Sequence, residues 1–415
     1  MISKYFEGPE VVQRFRTGCM GPWIDGFAEM LSESGFTYHT IRGHLRAAVH
    51  LGRWMDDRKI VLASLDNDVA SCFRRHLPRC RCNVRSKGFF RRTMPAIDIL
   101  LAHLRRLGVI QGNALVADRP QFTEVSAHFA AWSVRNRGIK ESTARGYQVA
   151  LQPFLSELGE DHSTYNAARI RSFVVKHLCT RGRSEAKSVT RSIRAFLRFL
   201  VAEGRVTAGL EHCVPTVPQW RLSSLPRYLV ASDVEKVLAA CDTTTPHGLR
   251  DRAILLLLAR LGLRANDIVT MDLDHIDWTG GTLRVSGKSR KESFLPLPQD
   301  VGDAILAYLE RGRSPACSDR VFLAMNAPIR PFTNSSAVSS VVSLALKRAG
   351  IENPPSRGAH MLRHSAATAM LRAGSPLETI ASVLRHKSPD MAAYYAKIDV
   401  GTLGLVVQPW AGGAP

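Results

Sequence analysis

The 415-residue chain has no long apolar stretch: its longest run, residues 253–259, is seven residues, whereas a helix needs about 20 to cross a bilayer. A membrane-spanning helix is excluded. The amino terminus carries Lys4, Glu7 and Glu10 among short apolar pieces and lacks the basic start, apolar core and small-residue cleavage site of a secretory signal, so a cytoplasmic protein is expected. Cysteine is sparse, with eight residues at 19, 72, 80, 82, 179, 213, 241 and 317. That scatter argues against a disulfide framework and for reduced thiols. The one cluster is Cys72, Cys80 and Cys82 with His76 between. Its C-x3-H-x3-C-x-C spacing differs from paired CxxC knuckles, so buried or incidental cysteines and no metal are expected.

Acidic residues are also in deficit, 36 against 56 Lys and Arg, for a formal charge of +20, while 45% of residues are apolar. Disorder and collagen-like structure are excluded by that mix. The excess is +8 over residues 1–110, +7 over 111–225 and +5 over 226–415. A surplus spread over the whole chain points to a long polyanion gripped by several domains, since each neutralised phosphate releases condensed counterions. Nucleic acid is the leading partner.

The length suggests two to four domains, and the first two hundred residues repeat. Gly35-Phe36-x3-Thr40-x-Arg42-Gly43-His44 aligns with Gly138-Ile139-x3-Thr143-x-Arg145-Gly146-Tyr147, and SCFRRHL at 71–77 aligns with SFVVKHL at 172–178. Each copy reads as several amphipathic helices, so two related helical domains are expected. Residues 214–229 hold Pro215, Pro218 and Pro226 without a sustained period and read as a linker. Beyond it, helices are predicted over 232–240 with Ser232 as cap, over 249–261 as a core element, and over 301–311, 335–349, 359–373, 377–384 and 390–396. Two β-prone pieces, 283–285 and 293–297, bracket the polar turn 286–290 as a hairpin. Ser375-Pro376 and Ser388-Pro389 each read as an N-cap followed by proline.

The C-terminal third carries ordered pieces: Leu261-Gly262-Leu263-Arg264-x2-Asp267, Gly287-Lys288-Ser289, His360-x2-Arg363-His364 and Leu384-Arg385-His386, with Tyr395 nine residues after His386. Together they resemble the tyrosine recombinase (phage integrase) family over residues 120–410. No single piece is specific; five in register are. The resemblance implies a fold that is mainly α with a small β-hairpin, in several domains: a SAM-like core-binding domain over 118–212 and a catalytic domain over 230–400, followed by a tail over 401–415. The repeat adds an N-terminal helical domain over 1–112 as a candidate duplicate of the core-binding domain, and the prolines give a linker over 213–229. It further implies a site-specific recombinase or integrase of the transposase type, working through a 3′-phosphotyrosyl intermediate without cofactor or metal. A synaptic tetramer on double-stranded DNA completes that picture, with related recombinases as candidate further partners; no membrane association is expected from the short apolar runs. Two other readings are a catalytically silent DNA-binding regulator and a type IB topoisomerase-like relaxer.

The residue chemistry stands beside the resemblance. Guanidinium groups pair bidentately with the non-bridging oxygens of a phosphorane-like transition state, a role that suits Arg264, read as ending the 249–261 helix, and Arg363. His360 and Arg363, three apart, share a helix face. His364 is turned about 100° from Arg363 and reads as structural. His386, in the turn after the 377–384 helix, can donate to phosphate or share a proton. Tyr395 is the expected nucleophile, ionised with the help of Arg264, Arg363 and His386, while Tyr394 is left to packing. Asp267 is expected to orient Arg264 through a carboxylate pair, to stand as a helix N-terminal carboxylate favoured by the macrodipole, or to do both. Lys288 takes, from the resemblance, the role of proton donor to the departing 5′ oxygen, with Lys291 as competitor. Arg385 departs from the family's usual Leu-Gly-His. Asp272, Asp274, His275 and Asp277 read as solvated loop residues rather than a metal site.

Overall fold

The computed structural model describes residues 1–80, 87–111, 123–159, 161–179, 181–218, 225–286, 292–315, 318–386, 391 and 393–398. Cys82, Lys288, Lys291, the Ser388-Pro389 start and the tail over 401–415 therefore lie outside the described residues. The chain divides into two compact units, residues 116–223 and residues 1–115 together with 224–415. None of the described helices is long and apolar enough to cross a membrane.

The amino-terminal part of the larger unit holds helices α1 (Pro9–Arg16), α2 (Ile24–Glu33), α3 (Tyr38–Asp56), α4 (Asn67–His76) and α5 (Lys87–Arg106) around one apolar core that includes Phe27, Leu45, Phe73 and Leu101. The smaller unit holds α6 (Glu124–Arg137), α7 (Glu141–Leu158), α8 (Ala167–Leu178) and α9 (Arg183–Ala202) around Phe129, Leu151, Phe173 and Phe196. Both runs share an order of long helix, short 3-10 turn, capped helix and long helix: α3, Leu62–Ser64, α4, α5 against α7, His162–Thr164, α8, α9. Even the caps correspond. The Asp66 carboxylate accepts the Val69 N–H at 2.8 Å and the Asn166 side chain accepts the Arg169 N–H at 2.9 Å, each satisfying a donor that a helix start leaves open.

The carboxyl-terminal part is built on α11 (Pro246–Ala259), flanked by α10 (Ala231–Ala239). The Thr245 hydroxyl caps it at the Gly248 N–H (3.1 Å), Pro246 stands in its first turn, and every residue from Ala253 to Leu258 is buried. Gly248 is required there, because a Cβ would lie 1.8 Å from the Asp242 carbonyl oxygen. Its buried polar pair, Arg250 and Asp251 (2.6 Å), is satisfied by the Leu323 carbonyl and by Arg348, as burial of charge demands. A short helix α12 (Ala265–Val269) then leads into strands β1 (Ile276–Asp277), β2 (Thr282–Ser286) and β3 (Glu292–Pro296). They form an antiparallel sheet in the order β1-β2-β3, with Leu283 opposite both Ile276 and Leu295. Leu283, Val285 and Leu295 face the core while Phe294 faces out, the period-two alternation of a half-buried sheet. Helices α13 (Gln299–Arg311), α14 (Ser336–Arg348), α15 (Ala359–Arg372), α16 (Leu377–Val383) and α17 (Ala393–Ala396) complete it.

Three local expectations are corrected. Ser232 is inside α10, whose N-cap is Val230, and Pro376 itself rather than Ser375 caps α16. Arg264 does not end the long apolar helix: α11 stops at Ala259, and Arg264 is the N-cap of α12. The chain turns between them through Gly262 at φ +57°, a left-handed conformation that glycine adopts without strain.

Candidate active site

Two arginines meet at the carboxyl end of α16. Its last carbonyls have no partner within the helix and carry the negative end of its dipole, so they attract guanidinium groups. The Leu384 carbonyl accepts from Nη2 of Arg363 and from Nη2 of Arg264 (3.4 Å), and the Arg385 carbonyl accepts from Arg264 at 2.8 Å. Arg363, 4% exposed on α15, also donates Nη1 to the Gly262 carbonyl. Gly262 thus serves twice, since a Cβ there would come 2.5 Å from Leu384 Cδ2. Residues separated by 99 and 21 positions are drawn together by shared backbone acceptors. Burial first, and then Arg264, lowers the Arg363 guanidinium to about 10, and burial and Arg385 lower Arg264. Arg363 remains charged at neutral pH, partly stripped of water and positioned to gain from an incoming anion.

Tyr395 packs in a small apolar cluster with Ala367, Ile380 and Leu384 and is 2% exposed. Its ring stacks against His386, with centroids 6.1 Å apart and planes 5° from parallel. Burial raises its phenol above the ordinary value and outweighs the opposing pull of Arg363. The expected cationic help is therefore reduced. His386 contributes no charge at neutral pH, because burial, Arg363 and Arg264 bring it down to about 4. Its Nδ1 is buried with no hydrogen-bond partner among the described residues. Tyr394 turns elsewhere and donates its hydroxyl to the Leu225 carbonyl at 2.8 Å.

His364 is the residue that sequence reasoning missed. Its Nδ1 lies 3.0 Å from the Tyr395 hydroxyl, and burial, followed by His360 and Arg363, lowers it to about 4. A neutral imidazole protonated at Nε2 can accept a hydrogen bond from the phenol there. The available signal was its spacing of four from His360, which puts both imidazoles on one helix face. His360 stands at the exposed edge of the site, its pKa lowered by burial of part of the ring and by Arg363 and Arg264.

Asp267 does not pair with the Arg264 guanidinium. Its carboxylate accepts the Arg264 backbone N–H (2.9 Å), as an N-terminal helix carboxylate does, and forms a buried ion pair with Arg385. Arg385 has φ +52°, which explains why glycine is usual at this point of the motif: the turn after α16 needs a left-handed residue. Glycine there would relieve about 1 kcal/mol of backbone strain, but it would strand a buried carboxylate, at a cost of about 3–5 kcal/mol. Arg385→Gly is therefore expected to lower the thermal midpoint. Combining it with Asp267→Asn should cost less than the sum of the two; an unchanged or higher midpoint in the single variant would show that the pair contributes nothing.

The two depressed histidines set a pH dependence. The unfolded chain binds protons below about pH 6.5, which folded His364 and His386 refuse until about 4. Their contribution is complete above the unfolded value and is lost as pH falls from there through the folded one. Thermal midpoints measured over that window should fall less steeply in His364→Gln than in the parent; parallel curves would contradict this protonation assignment.

Asp272, Asp274 and His275 have ligand atoms within 4.8 Å of one another. They are not simply solvated, since Asp272 pairs with Arg320 (2.9 Å) and Asp274 with Arg284 (2.7 Å). These carboxylates serve guanidinium groups. In the smaller unit a cleft of about 150 Å³ is lined by Arg137, Tyr147, Arg191, Arg194 and Arg198, with the Arg191 guanidinium 5.8 Å from the Tyr147 ring centre. Four cations around one concavity suit a phosphate backbone.

Residues 227–401 match the Phage integrase family. The sequence is 35% identical to an integrase/recombinase of Sinorhizobium fredii, y4rA, over 99% of this chain and 100% of that relative. Among solved structures, the XerH site-specific recombinase bound to a palindromic difH substrate superposes with a TM-score of 0.54 at 16% identity, covering 81% of this chain and 93% of that one. A lambda integrase tetramer bound to a Holliday junction gives 0.53 at 17% identity, covering 73% and 86%. These two structures share the fold.

Proposed function

The chain belongs to the phage integrase family of tyrosine recombinases, and from that premise we infer that it is a site-specific DNA recombinase whose nucleophile is Tyr395. The observation that carries the assignment is the Leu384 carbonyl, which gathers Arg264 and Arg363 beside the residue that packs on Tyr395. In the proposed step the Tyr395 oxygen bonds to phosphorus, the bond to the 5′ oxygen breaks, and the phenolic proton passes to Nδ1 of His364. Arg264 and Arg363 hold the non-bridging oxygens, where charge accumulates in the transition state. His386 and His360 donate to the same phosphate, and Lys288, on the resemblance, protonates the leaving oxygen. A 5′ hydroxyl from a second duplex then reverses the step. Because the phosphotyrosyl bond keeps the energy of the phosphodiester, the exchange requires neither nucleotide nor metal.

Exchange between two duplexes implies a tetramer in which four such sites meet, acting in the cytoplasm in transposition or integration. The four-arginine cleft and the helical run that precedes it in sequence would extend the grip on DNA, as would be expected of duplicated helical domains over 1–112 and 118–212. The test is incubation of the full chain with a randomised library of nicked duplexes, followed by transfer of the enriched sequence into a pair of plasmids. A covalent protein–DNA species and recombinant plasmids are expected. Relaxation of supercoils without recombinants would favour a topoisomerase-like relaxer, and binding without any covalent species a silent regulator.

A further inference from the structure

The cysteine cluster plays no part in the cleavage chemistry, yet folding adds to it a ligand that its sequence spacing does not contain. His50 lies in α3, 26 residues before His76, which is the last residue of α4; the 3-10 turn Leu77–Arg79 then delivers Cys80. The side-chain ligand atoms of His50, His76 and Cys80 all lie within 4.8 Å of one another. Cys80 Sγ is 3.3 Å from His50 Nε2, and the two imidazole rings are 5.8 Å apart. Around one tetrahedral zinc, with bonds of about 2.3 Å to sulfur and about 2.05 Å to nitrogen, neighbouring ligand atoms stand roughly 3.3–3.6 Å apart. One edge already has that length, and the others need shifts of about 1 Å, within the rotamer freedom of partly buried rings.

The surroundings fit as well. Phe73, fully buried, packs edge-on against His50 at 5.1 Å, and Trp54 lies 6.0 Å from His76, so an aromatic wall limits water around the three ligands. His76 ends α4, where the helix dipole favours a cation. Burial lowers the pKa of both imidazoles, leaving them neutral and able to bind metal at neutral pH. Arg53 and Arg58 oppose a dication from nearby, and a Cys80 thiolate would offset part of that repulsion. Cys72 is separate, exposed and hydrogen-bonded to Arg75. Two nitrogens and one sulfur exclude magnesium and calcium, which take oxygen ligands, and suit zinc.

We propose that His50, His76 and Cys80 bind one zinc ion, which staples α3 to the end of α4 in the amino-terminal helical region. Three protein ligands leave a fourth position for water or a further donor. The site is structural: it ties α3 to the end of α4, and binding restricted to the folded state raises stability by mass action.

The test uses the full chain, stripped with a chelator, mixed with equimolar zinc and passed over a sizing column. About one zinc per chain should co-elute by elemental analysis, and the thermal midpoint should rise on zinc addition. Cobalt in place of zinc should show a thiolate charge-transfer band that is lost in Cys80→Ser and His50→Gln and kept in Cys72→Ser. If Cys80→Ser fails to fold, the midpoint of the parent chain with and without zinc decides the matter. Absence of bound zinc with an unmoved midpoint overturns the proposal, as does a cobalt spectrum without sulfur character. None of these readouts depends on DNA cleavage, so the result stands apart from the assignment of Tyr395.

Discussion

Tyr395→Phe should leave no covalent protein–DNA species above background, while Tyr394→Phe should form it at nearly the parent rate. Phenylalanine keeps the ring that packs against Ala367, Ile380 and Leu384, so the fold loses only the hydrogen bond to His364, worth about 1 kcal/mol. The chemistry loses its nucleophilic oxygen altogether. Neither neighbouring imidazole replaces it, because a histidine adduct to phosphorus would be labile where a phosphotyrosine is not. Tyr394 donates its hydroxyl to the Leu225 carbonyl, and removing it leaves the Tyr395 oxygen in place. Denaturing gels after incubation with nicked duplex distinguish the two variants. Covalent product from Tyr395→Phe, or its loss in Tyr394→Phe alone, would move the nucleophile one residue and discard the present assignment.

Arg363→Ala comes next in size. Losing one fixed donor to a developing oxyanion costs about 10²–10³-fold in rate. Here the loss also releases the Gly262 and Leu384 carbonyls that position the guanidinium, so the fall should lie at the upper end of that range or beyond. Arg363→Lys keeps the charge yet cannot serve two carbonyls and a phosphate from one planar fork, and should still lose about 10²-fold. Structural damage would lower the rate on every substrate. Loss of charge stabilisation should be partly relieved when the scissile phosphate is replaced by a neutral methylphosphonate, which accumulates less charge. Single-turnover cleavage of both substrates separates these cases, and an equal deficit on the two would mean that Arg363 acts through the fold alone.

Much of this site is legible in the chain. The order Arg264, His360, Arg363, His386, Tyr395 is read directly, and the three-residue spacing of His360 and Arg363 gives a shared helix face from local geometry. The core helix, the hairpin and the repeated helical order also follow from short-range periodicity and turn residues. The misreadings have a common origin. His364 reads as structural because its partner is 31 residues away. Asp267 reads both as a carboxylate partner of the Arg264 side chain and as a helix N-terminal carboxylate; the second holds, while its ion pair is with Arg385, 118 residues on. Arg264 reads as a helix end because Gly262, embedded in an apolar run, gives little warning of a left-handed turn.

The sequence by itself determined the residue types, their local spacing and the charge excess, all of which depend on neighbours along the chain and on covalent chemistry. Tertiary structure alone decided which carbonyl holds each arginine, that His364 and His386 stay neutral, that the Tyr395 phenol is harder to ionise than a free one, and that His50 joins the Cys80 cluster. Each of those depends on desolvation and on acceptors contributed by distant segments. The energy of a charge or a hydrogen bond is set by what surrounds it in space, and composition and periodicity carry no record of that.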